Sequence, residues 1–169
     1  DYIGCDSNAD LREAYRGLVR LAQHSSSSKV TMHFGDSAKM DFSKYKYDMV
    51  FTSPPYISND KLTEVYNNMP VYRDNESFYR NFLYPTVKNA FTHLAPEGVL
   101  ALNVPVEMYK NLLPLLGACQ TKIPLHLNSR NRNGNGKIEY KEFIYVWKKS
   151  GNATRRSASP RRRRTQRHA

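Results

Sequence analysis

Apolar and polar stretches alternate along the first 150 residues of the chain. Short apolar runs bounded by turn residues predict strands at 2–6, 30–34, 47–51, 99–104, 122–127 and 142–148. Longer stretches with apolar residues at helical spacing predict helices from near Asn8, over 76–94 and over 107–116. Strands that alternate with helices favour an α/β fold with a largely parallel sheet.

Two of the predicted helices carry apolar residues on one face, and we expect that face of the second helix to pack inward. In the first helix this face carries Leu11, Tyr15, Leu18 and Ala22. In the second it carries Phe78, Phe82, Val87, Phe91 and Leu94. Pro85 lies within the second helix, where a missing N–H and a bulky ring predict a kink.

Polar residues follow three of the predicted strands. Asp6 ends the first strand, Asp36 follows the second, and Ser53 follows the third. In a parallel α/β sheet the carboxyl ends of the strands form the ligand crevice. The pattern therefore predicts that these three side chains face one crevice.

Length and composition exclude several classes of protein. A chain of 169 residues forms one domain, and no stretch approaches the 18 apolar residues that a membrane helix needs. Two cysteines do not make a disulfide scaffold, and they favour a reducing, intracellular compartment, cytoplasmic or nuclear. The histidines have no metal-ligand spacing with either cysteine, so we expect no metal. Because no stretch is long and apolar enough for a membrane helix, we also expect no membrane partner.

The positive charge is concentrated at the C-terminal end. The net charge is +11, from 26 basic and 15 acidic residues. Seven arginines and no acid lie after Gly151, so residues 1–150 carry 19 basic against 15 acidic residues. Residues 150–169 have no apolar periodicity, which predicts a disordered tail that attracts nucleic acid without sequence preference. Residues 1–149 are the predicted folded domain.

The segment Thr52-Ser53-Pro54-Pro55-Tyr56 is the strongest chemical signal. Two prolines fix the backbone direction and remove two N–H donors. The carbonyls of Ser53 and Pro54, together with the Ser53 hydroxyl, therefore form a group of acceptors beside the Tyr56 ring. Acceptors next to an aromatic platform suit an exocyclic amine on a planar base, which must be flipped out or single-stranded to enter.

These residues resemble the motif of the S-adenosylmethionine-dependent DNA amino-methyltransferases, including those of phages and large DNA viruses. The resemblance covers residues 1 to about 149. It implies a Rossmann-like methyltransferase sheet, mostly parallel with an antiparallel closing strand. It also implies methyl transfer from S-adenosylmethionine to the exocyclic amine of cytosine or adenine in DNA.

The resemblance gives each matching residue a role. Ser53, Pro54, Pro55 and Tyr56 form the catalytic motif. Asp6 holds the ribose hydroxyls of S-adenosylmethionine. Asp36, with its neighbour Ser37, contacts the adenine amine of the same cofactor.

The family's Gly-rich loop, which lies before the strand that Asp6 ends, has no counterpart in the sequence. The chain begins with Asp1 rather than Met, and the one Gly-rich stretch after Ser53 is Asn133–Gly136, before a strand. We therefore expect the domain to be truncated at its N-terminus, without its first strand and Gly-rich loop.

Several alternatives stay open. Pro-Pro-Tyr also occurs in proline-recognition ligands, Asp6 can cap the following helix, and Asp36 can begin a turn. An RNA or protein-glutamine methyltransferase, or an inactive nucleic-acid-binding remnant, fits the same motif. Residues 131–142 match the spacing of a calcium-binding loop, but the basic residues and flanking strands favour a turn.

Two further expectations concern side chains near the motif. Cys5 lies within a strand that we expect to be buried, so neither cysteine is needed as a nucleophile. Tyr66, Tyr72 and Arg73 follow the motif and are candidate contacts to the target strand.

Overall fold

The structure, a computed structural model, describes residues 1–25, 27–58, 61–62, 72, 74–125 and 142–151. The strands are β1 (Tyr2–Asp6), β2 (Val30–Phe34), β3 (Met49–Thr52), β4 (Ile57–Ser58), β5 (Lys61–Leu62), β6 (Val99–Pro105), β7 (Thr121–Pro124) and β8 (Glu142–Lys148). The helices are α1 (Arg12–Ser25), α2 (Asn75–Phe78), α3 (Tyr84–His93) and α4 (Val106–Leu116). The six strands predicted from the sequence are confirmed, with ends that differ by a few residues.

The strands of the described residues form three sheets. The largest has the order β3-β6-β8-β7, and β8 runs antiparallel to both of its neighbours while β3 runs parallel to β6. A second sheet pairs β1 with β2 in parallel, and β4 with β5 is a short antiparallel pair. The α/β class and the antiparallel closing strand are confirmed.

The apolar core is built on β6. Leu100, Leu102 and Val104 are fully buried, and β6 is bonded on one side to β3 and on the other to β8. Strands covered on both faces carry near-continuous apolar runs, as β6 does. The helices add Phe78, Leu83, Val87, Leu94, Met108 and Leu112, and β8 adds Tyr145 and Trp147. Along the chain, the buried residues of this core thus all come from the stretch that begins at Phe78 and ends at Trp147.

The segment that leads into α3 is distorted rather than simply kinked. Residues Tyr79–Leu83 form a π-helical turn, in which the N–H of Tyr84 donates to the carbonyl of Tyr79. Pro85 follows immediately, and its ring excludes the ordinary bond to the carbonyl of Asn81. A local change in hydrogen-bond register accommodates the proline, while Phe78 and Phe82 stay buried as predicted.

The apolar face predicted for the first helix is largely exposed. Leu11 is 42% exposed and Leu18 is 60% exposed, and none of the residues of α1 is buried. Tyr15 and Val19 are half-buried and face β2 instead. Helical spacing identifies an apolar face, but it does not show which neighbouring element covers that face.

β1 and β3 each have one edge without a described backbone partner. Within the described residues β1 pairs with β2, and β3 pairs with β6. Large apolar side chains at these strands are open to solvent: Tyr2, Met49 and Phe51 are each about 60% exposed. Parallel sheets are usually covered on both faces, so large exposed apolar side chains on these strands are atypical.

Two residues between β2 and β3 connect this part of the chain to α3. The amide of Asn89 donates to the carbonyl of Met40 at 2.8 Å, and the hydroxyl of Tyr47 donates to the carbonyl of Ala90 at 2.7 Å. Burial raises the pKa of Tyr47 to about 12, so this hydroxyl stays a donor at neutral pH. The chain between β2 and β3 is therefore anchored on α3.

No helix among the described residues has the length and apolarity needed to cross a bilayer.

The dependence of the fold on β6 is testable by removing one side chain. Leu102 is fully buried, so Leu102→Ala should lower the free energy of unfolding by about 2–5 kcal/mol. Leu113→Ala on α4, where the side chain is 37% exposed, is the matched control and should cost less than about 1 kcal/mol. Urea denaturation measures both, and equal losses would contradict the role given to β6.

Candidate active site

The carboxyl ends of β1 and β2 lie side by side. The N–H of Gly35 donates to the carbonyl of Asp6 at 2.8 Å, which joins the residue after β2 to the last residue of β1. Asp36 follows Gly35 directly. The structure thus brings together the two carboxylates that the resemblance assigns to the cofactor.

Asp6 accepts two hydrogen bonds, one from a neighbouring residue and one from α1. One carboxylate oxygen accepts from the N–H of Asn8 at 2.8 Å, and the other accepts from the hydroxyl of Tyr15 at 2.8 Å. The N-cap of the following turn is Asn8, whose side chain accepts from the N–H of Asp10 at 3.0 Å, so Asp6 holds the capping residue and is not the cap itself. An ionised carboxylate has about four acceptor positions, so each oxygen of Asp6 retains capacity for a further donor.

Asp36 caps the short turn at Ser37–Lys39. Its carboxylate accepts from the N–H of Ala38 at 2.9 Å and lies 3.6 Å from the ammonium of Lys39. The side chain is 19% exposed, so it is sheltered without being enclosed. Ser37 is half-buried, and its carbonyl accepts from Met40 at the end of the turn.

Cys5 is exposed, which corrects the expectation that its strand buries it. Partial desolvation, together with the carboxylates of Asp6 and Asp36, raises the pKa of its thiol. The thiol therefore stays protonated at neutral pH and is a poor nucleophile. The raised pKa, and with it the expectation of an unreactive cysteine, comes mainly from partial desolvation of the thiol, to which the negative charges of Asp6 and Asp36 add.

The motif after β3 combines a buried backbone with an exposed hydroxyl. Pro54 and Pro55 are buried, Ser53 is exposed and Tyr56 is half-buried. The hydroxyls of Ser53 and Tyr56 are 2.9 Å apart, within hydrogen-bond distance. The Tyr56 ring also packs against the apolar core. The motif therefore presents a hydroxyl pair at the end of β3 on a fixed support.

Sequence reasoning did not identify two hydroxyl partners. Tyr15 was placed on an apolar face, although its hydroxyl holds Asp6. Tyr56 was assigned a stacking ring, although its hydroxyl also meets Ser53. The spacing of three residues between Ser53 and Tyr56 could have indicated their contact from the sequence. The contact of Tyr15 with Asp6 depends instead on how α1 packs against β2.

The predicted site residues form two groups. Asp6, Asp36 and Ser37 lie at the β1–β2 sheet, whereas the Ser53–Tyr56 motif follows β3 in the larger sheet. Tyr72 packs edge-on against Phe78, and burial and the charge of Asp36 raise its pKa. Tyr72 is thus in part a core residue.

Several predicted features lie outside the described residues. These are Tyr66 and Arg73, the turn within 131–141, and the tail after Gly151. Among the described side chains, no group of three or more His, Cys, Asp or Glu is arranged to hold a metal ion.

No protein-family model matches the chain, and no curated protein matches its sequence. Similar folds are found among solved structures. An rRNA methylase from Streptococcus thermophilus aligns with 89% of this chain and 87% of its own, at 12% identity and a TM-score of 0.45.

NSun6 from Pyrococcus horikoshii, solved with the S-adenosylmethionine analogue SFG, aligns with 87% of this chain at 16% identity and a TM-score of 0.50. This chain spans 41% of that protein's length. A SAM-dependent methyltransferase from Methanosarcina mazei aligns over 89% of this chain and 92% of its own, at 13% identity and a TM-score of 0.39. The likeness to NSun6, at a TM-score of 0.50, shows that the chain has a Rossmann-like α/β fold.

The contact between Tyr15 and Asp6 predicts an alkaline titration. The hydrogen bond to Asp6, with partial desolvation, raises the pKa of Tyr15, so the folded state favours the protonated phenol. Its contribution to stability is present below the ordinary tyrosine pKa and is lost as pH rises through the raised value. The difference in tyrosinate absorbance between the native chain and Tyr15→Phe measures this titration.

The matched test of the same contact is Asp6→Asn, which keeps an acceptor but removes the charge. The phenol of Tyr15 should then ionise at lower pH than in the native chain. An unchanged titration in Asp6→Asn would show that Asp6 does not hold Tyr15.

Proposed function

We propose that this chain transfers a methyl group from S-adenosylmethionine to the exocyclic amine of cytosine or adenine in DNA. The observation that carries the proposal is the Ser53–Tyr56 hydroxyl pair on two buried prolines at the carboxyl end of a strand. The fold and the two adjacent carboxylates of Asp6 and Asp36 support it. S-adenosylmethionine supplies an activated methyl group carried on a sulfonium.

The residues at the ends of β1 and β2 fit the cofactor. Ribose hydroxyls and an adenine amine are donors, and Asp6 and Asp36 are acceptors held at neighbouring strand ends. Tyr15 and Asn8 orient the carboxylate of Asp6, and the Ser37–Lys39 turn orients that of Asp36. Both carboxylates therefore have fixed directions before the cofactor binds, which limits the entropy lost on binding.

The motif fits the target amine. If Ser53 donates its proton to the hydroxyl oxygen of Tyr56, both lone pairs of Ser53 remain available to accept from the amine. Pro54 and Pro55 have no N–H that would compete for these acceptors. Acceptance of the amine protons draws the nitrogen lone pair out of the ring and directs it outward, so positioning and electrostatics provide most of the rate.

The open edges of β1 and β3 support the expected first strand and Gly-rich loop. Doubly wound sheets have the order 3-2-1-4-5-6. With a further parallel strand between β1 and β3, the strands β2, β1, β3 and β6 would take positions 3, 2, 4 and 5 of that order, whereas β8 and β7 follow as an antiparallel extension. Such a strand would pair with the backbone of both open edges. We propose that the complete cofactor site includes this strand.

Calorimetric titration with S-adenosylmethionine tests the cofactor site. Asp6→Asn and Asp36→Asn should each weaken binding about 10-fold, because each loses a charge-assisted hydrogen bond. Asp41→Asn is the matched control, since Asp41 also caps a short turn and lies near a lysine, Lys44. The control should bind as the native chain does. If millimolar S-adenosylmethionine gives no heat of binding, the proposal that this chain is a catalyst is wrong. The alternative of an inactive nucleic-acid-binding remnant would then remain.

Transfer of labelled methyl groups tests the motif. Ser53→Ala should lower kcat about 100-fold, and Tyr56→Phe about 10-fold, because each removes part of a preorganised acceptor. Binding of S-adenosylmethionine should not change in either variant. Ser25→Ala and Tyr84→Phe, which remove hydroxyl hydrogen bonds elsewhere, are the controls.

The choice of substrate in the same assay tests the DNA assignment. Single-stranded or mismatched DNA should react faster than a matched duplex, because the target base is already unstacked. Label that enters RNA or protein and not DNA would contradict the assignment to DNA. Equal losses in the motif variants and their controls would contradict the role of the motif.

A further inference from the structure

A groove lies between α1 and β2, outside the residues assigned to the cofactor and the target amine. Its volume is about 390 Å³. The α1 side consists of Arg12, Tyr15, Arg16, Val19 and Arg20, and the β2 side consists of Val30, Thr31, Met32 and Phe34. The lining contains three arginines and no carboxylate.

The arginines form a row along the helix. Arg12, Arg16 and Arg20 are four residues apart, so they share one face and extend over about 12 Å of helix axis. Arg16 pairs with Glu13, whereas Arg12 and Arg20 form no ion pair within the described part of the chain. A row of positive charge with two uncompensated members attracts a partner with regularly spaced negative charge.

The floor of the groove is apolar and partly exposed. Val30, Met32 and Phe34 alternate along β2 and are half-buried. The guanidinium of Arg12 lies 4.5 Å from the centre of the Phe34 ring, so one end of the groove already holds a cation over an aromatic face. Apolar and aromatic surface next to cations suits flat bases linked by phosphates.

The groove begins next to the proposed cofactor residues. Tyr15 lines the groove and donates to Asp6, which places the Arg12 end near the carboxyl ends of β1 and β2. The helix that follows a strand runs back toward the amino ends of the sheet, so Arg20 lies farther from the crevice. A strand that leaves the crevice at this edge therefore meets the three arginines in order.

We propose that the groove binds single-stranded nucleic acid that flanks the target base, with the three arginines on successive phosphates. The bases would rest against Val30 and Met32. The link to a flanking strand rests on the proposed methyl transfer, but the binding itself does not. DNA and RNA share the recognised phosphate chemistry, and the experiment distinguishes them.

The test compares two triple variants of the full chain, so that the Arg-rich tail is the same in both. One is Arg12→Gln, Arg16→Gln and Arg20→Gln. The matched control is Arg80→Gln, Lys88→Gln and Lys110→Gln, which removes three exposed charges from the helical surface elsewhere. Fluorescence anisotropy of labelled single-stranded DNA and RNA, without S-adenosylmethionine, measures binding from 50 to 200 mM salt.

The groove variant should bind single strands at least about 10-fold more weakly than the native chain. Each phosphate contact adds about 0.7 to the slope of log affinity against log salt, so its slope should be shallower by about 2. The control should change the slope by less than about 0.7. The probe, DNA or RNA, for which the groove variant loses more affinity is the preferred ligand of the groove. Circular dichroism confirms that both variants are folded.

Three outcomes would overturn the inference. Equal losses in the two variants would mean that total charge alone attracts nucleic acid. Unchanged binding in the groove variant would show that the three arginines do not contact nucleic acid. Loss of binding to phosphatidylserine vesicles, with unchanged binding of both oligonucleotides, would assign the groove to an acidic lipid surface. Normal oligonucleotide binding in a chain that does not bind S-adenosylmethionine would reject the proposed function and keep this inference.

Discussion

The burial of β6 between β3 and β8 is the constraint on which the rest of the structure depends. Leu100, Leu102 and Val104 are fully buried. Thr52, the last residue of β3, lies opposite Leu102, so the register of this pair determines where Ser53 leaves the sheet. A slip of one residue would exchange the two faces of β3 and move the motif. The position of the candidate catalytic hydroxyl therefore follows from apolar packing some distance from it.

The sequence predicted what depends on local pattern and missed what depends on long-range contact. β1 and β2 have the predicted bounds because apolar runs and turn residues mark them directly. The exposure of Leu18 was missed because helical spacing does not name a covering partner. Pro85 was recognised as disruptive, but the π-helical turn before it depends on how Phe78 and Phe82 reach the core.

The candidate site shows the same division. The sequence identifies Asp6, Asp36 and Ser53 because each ends or follows a strand, and strand ends are visible in sequence. Their partners differ: the contact of Asp36 with Ala38 is local, whereas that of Asp6 with Tyr15 requires α1 to fold back. The total charge of residues 1–150 also did not indicate where basic surface lies. The arginines of α1 form a row, and this row is hidden in an average over 150 residues.

The uneven distribution of the core divides the described domain into parts of different stability. The buried apolar core runs from Phe78 to Trp147, whereas α1 contains no buried residue. Segments with little buried apolar area open at lower free energy than the core, so β1, α1 and β2 should exchange their amide hydrogens sooner than β6. The proposed cofactor carboxylates lie in the less stable part, and the target motif follows a core strand. A ligand of those carboxylates would therefore act as a folding partner, because its binding free energy adds to the stability of a region that lacks a core of its own.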